Sequence, residues 1–98
     1  MWVLNGEQAI NLEKVSGLRL QAANGEMRLL ARLDCGEEVA VASGEPNEMF
    51  KLLEALIYNH RVAATAVFDV VRWQANRQRL RRLQDVELAT AELEGVRP

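Results

Sequence analysis

The chain has 98 residues, of which 49% are hydrophobic, 27% charged and 5% aromatic, and its formal net charge is −2. This composition excludes a disordered chain and predicts a single small globular domain with a thin core. A single cysteine excludes an internal disulfide. The longest apolar stretch, residues 62–73, contains Asp69 and Arg72 and is too short to cross a membrane, which takes roughly 20 residues. Met1 leads directly into a strand-like segment, so we expect a cytoplasmic protein with no membrane association.

Turn signals divide the first 45 residues into short strands. Asn5-Gly6 and Asn24-Gly25 each predict a two-residue type I′ hairpin, because both residues tolerate positive φ. A short helical turn or bend is expected at residues 12–17, and a longer turn containing Gly36 at residues 34–36. The sequence therefore predicts an antiparallel meander of four or five strands.

Alternation along these strands predicts a sheet with one covered face. The apolar set is Leu18, Leu20, Met27, Leu29, Leu33, Val39 and Val41, and the polar set is Arg19, Gln21, Arg28, Arg32 and Glu38. Behind the strands, apolar residues recur at helical spacing at Met49, Phe50, Leu52, Leu53, Leu56 and Ile57. This helix is expected to cover the apolar face of the sheet.

From Asn47 to Glu94 the chain contains no proline or glycine, which predicts that its second half is helical. Residues 59–61 are the expected position of a break, so one continuous helix and a bent helical hairpin both stay open. The spacing of Asp69, Arg72 and Asn76 within an otherwise apolar segment predicts that residues 62–73 are helical as well. A helix that is apolar over most of its circumference must be buried on several sides, and this predicts homodimerisation.

The predicted fold class is therefore α+β: a small antiparallel meander followed by a long helix or helical hairpin. Residues 1–61 form the sheet and its packing helix, and residues 62–98 form a helical extension of the same domain that mediates self-association. The residues assigned to self-association are those too apolar for exposure on a monomer: Val67, Val70, Val71, Trp73, Leu80 and Leu83. Another protein is a further candidate partner.

The second half also carries a cluster of positive charge. Residues 1–71 have a net charge of −4 and residues 72–98 a net charge of +2. We use the term arginine cluster for the five arginines between positions 72 and 82: Arg72, Arg77, Arg79, Arg81 and Arg82. The alternative function is therefore a dimeric regulator that binds nucleic acid through these side chains. We favour an interaction module, because the cluster wraps the helix and the acidic residues at 85, 87, 92 and 94 can pair with it.

The sequence contains no catalytic, metal-binding or cofactor-binding motif, so we expect a protein that is not an enzyme and has no cofactor. His60 is expected near a helix end, Cys35 in a turn, and Asp69 in a salt bridge with Arg72. A small-molecule site at a dimer interface, near Asp69, His60 and Tyr58, is a third class that stays open.

The order of turns and apolar positions from residue 2 to residue 61 carries one resemblance. Leu4-Asn5-Gly6, Ile10-Asn11, Val15, Leu18, the turn at Gly36 and a helix from Glu48 to Arg61 form this pattern. The layout resembles small bacterial sheet-plus-helix proteins such as the FlbD family, associated with flagella and swarming motility. The resemblance implies a small sheet followed by a helix in a bacterial protein without evident catalysis.

Overall fold

The computed structural model describes the backbone of residues 1–95 and the side chains of residues 1–83. In chain order, the strands are β1 (Trp2–Asn5), β2 (Gln8–Asn11), β3 (Val15–Ala23), β4 (Glu26–Leu33), β5 (Glu38–Gly44) and β6 (Val67–Asp69). The helices are α1 (Pro46–Arg61) and α2 (Val70–Gly95), and a short 3₁₀ turn, Leu12–Lys14, joins β2 to β3. The fold is α+β, with antiparallel strand pairs and two α-helices.

The first sheet has the strand order β2-β1-β6. β1 and β2 form an antiparallel hairpin, whereas β6 lies parallel to β1 on its other side. Side chains alternate between the two faces of this sheet, so Val3, Ile10 and Phe68 are buried on one face. Because β6 follows α1 in the chain, residues on both sides of position 61 form one sheet.

The hairpin between β1 and β2 does not use the predicted Asn5-Gly6 turn. Asn5 pairs with Gln8 in the ladder, and the two-residue loop is Gly6-Glu7 with Gly6 at φ 62°. Positive φ at the first loop position alone is typical of a type II′ turn. The side-chain amide of Asn5 donates a hydrogen bond to the carbonyl of Val41, which links the hairpin to the second sheet.

The second sheet is an antiparallel meander with the order β3-β4-β5. Its β3–β4 turn is the predicted one, since Asn24 and Gly25 have φ 51° and 79°. Gly36 has φ 92° in the β4–β5 turn and donates its backbone N–H to the Leu33 carbonyl at 2.8 Å. The prediction of one meander with four or five strands is wrong in its count, because the strands divide into two sheets of three.

Helix α1 covers the second sheet, as the apolar spacing predicts. Met49, Leu52 and Leu56 are fully buried against a core that includes Leu29 and Val41. The buried face of α1 is narrower than predicted, because Phe50 and Ile57 are 55% and 47% exposed. The same core contains Val3 and Phe68 from the first sheet and Val70 from α2, so both sheets and both helices share one core.

The helical half is interrupted by β6, so the prediction of helix across residues 62–69 is wrong. Helix α1 ends when the N–H groups of Val62 and Ala63 both donate to the Tyr58 carbonyl. Ala64 then adopts φ 50°, the left-handed conformation that usually requires glycine. The Thr65 hydroxyl donates to the Asn59 side-chain oxygen at 2.8 Å and holds the returning chain. The chain therefore enters β6 and restarts as α2 at Val70.

Candidate self-association surface

The outer face of the first sheet carries two exposed apolar side chains next to each other. Trp2 and Val67 are paired in register between β1 and β6, so their side chains lie on the same face. They are 48% and 52% exposed, whereas their neighbours Val3 and Phe68 point into the core. Leu4 and Ala9, also paired in register, continue this face towards β2. An exposed tryptophan beside an exposed valine makes this face a candidate surface for binding another protein.

Two of the predicted self-association residues support the fold of the chain itself. Val70 is fully buried in the core, so it cannot belong to an interface between folded copies. Trp73 is half-buried, with its ring 6.4 Å from that of Phe68. The guanidinium of Arg77 lies 5.1 Å from the Trp73 ring centre, a cation–π contact.

The other predicted residues on α2 are exposed but do not share one face. Val71, Leu80 and Leu83 are 51%, 59% and 52% exposed. Leu80 and Leu83 are three residues apart and neighbour each other. Val71 lies on the opposite side of the helix from Leu80, since nine residues at about 100° each make two and a half turns.

Ion pairs within the chain engage two members of the arginine cluster. The Arg77 Nε lies 3.9 Å from a Glu48 carboxylate oxygen, and an Arg81 guanidinium nitrogen lies 3.8 Å from Glu45. These acids lie at the start of α1, so the pairs connect α2 to the first turn of α1. Both distances exceed that of a hydrogen bond, so the contacts are ion pairs of modest energy.

The remaining arginines have different surroundings. Arg72, Arg79 and Arg82 are exposed. The predicted salt bridge between the Asp69 and Arg72 side chains does not form, and this prediction is wrong. Asp69 instead accepts a hydrogen bond at 3.1 Å from the backbone N–H of Arg72, in the position of an N-cap of α2. The acidic residues predicted to pair with the cluster, at 85, 87, 92 and 94, have side chains outside the described part of the chain.

The polar outer face of the second sheet contains one ion pair that is joined by two hydrogen bonds. Arg19 on β3 donates two hydrogen bonds, of 2.6 and 2.9 Å, to the Glu38 carboxylate on β5. These hydrogen bonds hold the pKa of the Glu38 carboxyl below its ordinary value and raise the pKa of the Arg19 guanidinium. The pair spans the sheet across β4.

Cys35 and His60 lie where the sequence places them. Cys35 is exposed in the β4–β5 turn, and His60 is exposed in the last turn of α1. Within residues 1–83, whose side chains are described, no three His, Cys, Asp or Glu residues gather as a candidate metal site. No helix of the described chain is both long and apolar enough to cross a membrane.

Part of the exposed apolar surface is not apparent from the sequence. Trp2 belongs to the same face as Val67, but this placement depends on a pairing between strands that are far apart in the sequence. Phe50, Ile57 and Tyr58 on α1 are exposed, and a pattern at helical spacing cannot separate a broad buried face from a narrow one. We use the term self-association surface below for two exposed apolar pairs, Trp2 and Val67 on the first sheet and Leu80 and Leu83 on α2.

No protein-family model, curated protein or solved structure matches this chain.

Proposed function

We propose that this chain is a non-enzymatic interaction module of the bacterial cytoplasm that assembles with itself through residues of its C-terminal half together with Trp2 of β1. The proposal rests on one observation above all. Trp2 and Val67 lie side by side on the outer face of the first sheet, each about half exposed. Burial of the apolar area of these two side chains against a second copy would stabilise the assembly by roughly 25 cal/mol per Å².

The exposed leucines of α2 support the same proposal. Leu80 and Leu83 are adjacent on the part of α2 beyond the ion pair of Arg77 with Glu48. An antiparallel contact with a second α2 would cover both side chains. Val70 and Trp73 contribute indirectly, because they fix the start of α2 against the core.

Nucleic acid binding is the competing function, and the ion pairs of the arginine cluster argue against it. Arg77 and Arg81 face carboxylates of the same chain, and phosphate contact would have to replace Glu48 and Glu45. Because log affinity for duplex DNA falls linearly with log salt when phosphates are contacted, binding at low salt would reveal this function.

The test is light scattering coupled to size-exclusion chromatography on a matched set of variants. We expect a dimer or larger assembly for the wild-type protein and a monomer for the double variant Val67→Glu, Leu80→Glu. Both residues are more than half exposed, so their replacement should leave the fold intact. The control is Phe50→Glu, Tyr58→Glu, which changes two equally exposed apolar residues on α1.

Circular dichroism of each variant shows whether it is folded. A folded Val67→Glu, Leu80→Glu variant with the mass of the wild-type assembly would contradict the proposed surface. A wild-type protein that is monomeric at every concentration would contradict self-assembly as such.

A further inference from the structure

A groove lies between the C-terminal half of α1 and the beginning of β3. Its volume is about 410 Å³. Leu53 and Ile57 of α1 line one side, and Val15, Gly17 and Leu18 of β3 line the other. This volume falls in the range of sites that accept a ligand or a few side chains of a bound peptide.

The β3 side of the groove is the edge of a sheet. β3 pairs with β4 only, so the other side of its nine-residue backbone has no strand partner among the described residues. Unpaired N–H and C=O groups along a strand edge can accept an additional strand. The pairing of β3 with β4 has a register shift between Val15 and Gly17 and is regular from Gly17 to Ala23, so only the regular part of this edge can continue the sheet.

Gly17 leaves room for a second backbone at this edge. Its φ is not in the left-handed region, and a Cβ atom added there would meet nothing within 4 Å. Neither the backbone conformation nor packing within the chain therefore requires glycine at this position. A glycine in a strand is typical of a bulge, such as the register shift that ends at Gly17, or of a place where another backbone approaches closely.

The charge of the groove selects among occupants. Arg61, exposed in the last turn of α1, carries the only formal charge among the residues that line the groove, and none of them is acidic. A segment with a carboxylate is the complementary occupant.

We propose that this groove binds an extended, acidic and apolar peptide segment of a partner protein. The segment pairs with β3 as an additional strand. Its alternate apolar side chains pack against Leu18, Leu53 and Ile57, and a carboxylate lies beside Arg61. This site is separate from the self-association surface, and the proposal does not depend on self-assembly.

The test uses the full chain and a displayed library of random peptides of about ten residues, long enough to span β3. We expect enrichment of sequences in which apolar residues alternate and at least one acidic residue is present. The strongest binder is then titrated by fluorescence anisotropy. Ile57→Glu should weaken its binding at least about tenfold, because it places a charge in the apolar part of the groove.

Arg61→Glu should weaken binding of the same peptide about fivefold, the upper range for an exposed ion pair. The matched controls are Phe50→Glu, on α1 outside the groove, and Arg72→Glu, an exposed arginine on α2. Each control should change the affinity less than about twofold. Hydrogen exchange should show that backbone amides of β3 gain protection when the peptide binds.

Three results would overturn the proposal. The first is a library that yields no binder. The second is a set of binders with equal affinity for the Ile57→Glu and wild-type proteins. The third is protection of the β3 amides in the free protein that increases with protein concentration. Such protection would assign the edge to a second copy.

Discussion

At the residue scale, Asp69 shows how one side chain can have a role different from the one its spacing predicts. Its spacing from Arg72 is that of a helical ion pair, but its carboxylate accepts the Arg72 backbone N–H at the start of α2. The two roles differ in what a change at position 72 does, because a cap needs the backbone N–H and not the guanidinium.

We therefore expect Asp69→Ala to lower the free energy of unfolding by about 1 kcal/mol, as the loss of an N-cap does. Asp69→Asn should cost less, since asparagine is also a good cap. Arg72→Gln should leave stability nearly unchanged. Urea titration followed by circular dichroism measures all three free energies of unfolding. An Arg72→Gln variant as unstable as Asp69→Ala would show that the side chains of Asp69 and Arg72 do form the predicted salt bridge.

The Arg19–Glu38 pair leads to a prediction for the dependence of stability on pH. The folded-state pKa of the Glu38 carboxyl is lowered by hydrogen bonds from Arg19. The contribution of this group to stability is therefore fully present above its unfolded-state pKa and is lost as the pH falls through the folded-state value. Both side chains are partly exposed, so the contribution is small.

We expect Glu38→Gln to lower the melting temperature at pH 7, and the difference from the wild-type protein to vanish in acid. Glu37→Gln, at the neighbouring exposed position, is the control and should show no such difference. Melting curves from pH 7 to low pH test this. A difference for Glu38→Gln that persists at the acid end would mean that it does not come from the ionised carboxylate.

Local sequence determined one hairpin turn but not the other. Asn24 and Gly25 both adopt positive φ, as their residue types predict. Asn5 does not, because its side chain bonds the Val41 carbonyl in a different sheet and the turn moves to Gly6-Glu7. A contact between residues 36 positions apart is invisible to local turn rules.

At the scale of elements, α1 is the segment that sequence periodicity predicts best. Its buried residues Met49, Leu52 and Leu56 recur at three- and four-residue spacing and cover the second sheet. The pattern overestimates the width of this face by including Phe50 and Ile57.

Two large apolar residues on α1 should therefore respond differently to truncation. We expect Leu52→Ala, at a fully buried position, to lower the free energy of unfolding by about 2 to 5 kcal/mol. Phe50→Ala, at a position that is 55% exposed, should cost no more than about 0.5 kcal/mol. Comparable losses for the two variants in urea titrations would show that α1 is rotated from the orientation described.

The break between α1 and α2 was located only approximately from sequence. Residues 59–61 do mark the end of α1, but the left-handed position that follows is occupied by Ala64 and not by a glycine. The strand β6 could not be found, since it has three residues and its partner β1 is far away in the sequence. Its β-branched Val67 favours a strand, but the surrounding spacing is also compatible with a helix.

At the scale of the whole molecule, β6 changes the argument for self-assembly. The apolar stretch at residues 62–73 is not a helix covered on all sides by a second copy. Phe68 and Val70 enter the shared core, and Val67 lies with Trp2 on the outer face of the first sheet. The proposed interface is therefore smaller than the one expected from sequence and includes a residue from the first strand.

The most direct test of this interface is acrylamide quenching of Trp2 fluorescence as a function of protein concentration. The variant Trp73→Phe leaves Trp2 as the one tryptophan in the chain. If copies associate through the outer face of the first sheet, Trp2 will be shielded from acrylamide at high concentration and become accessible on dilution. A Trp2 side chain that is equally accessible at every concentration would contradict the proposed interface.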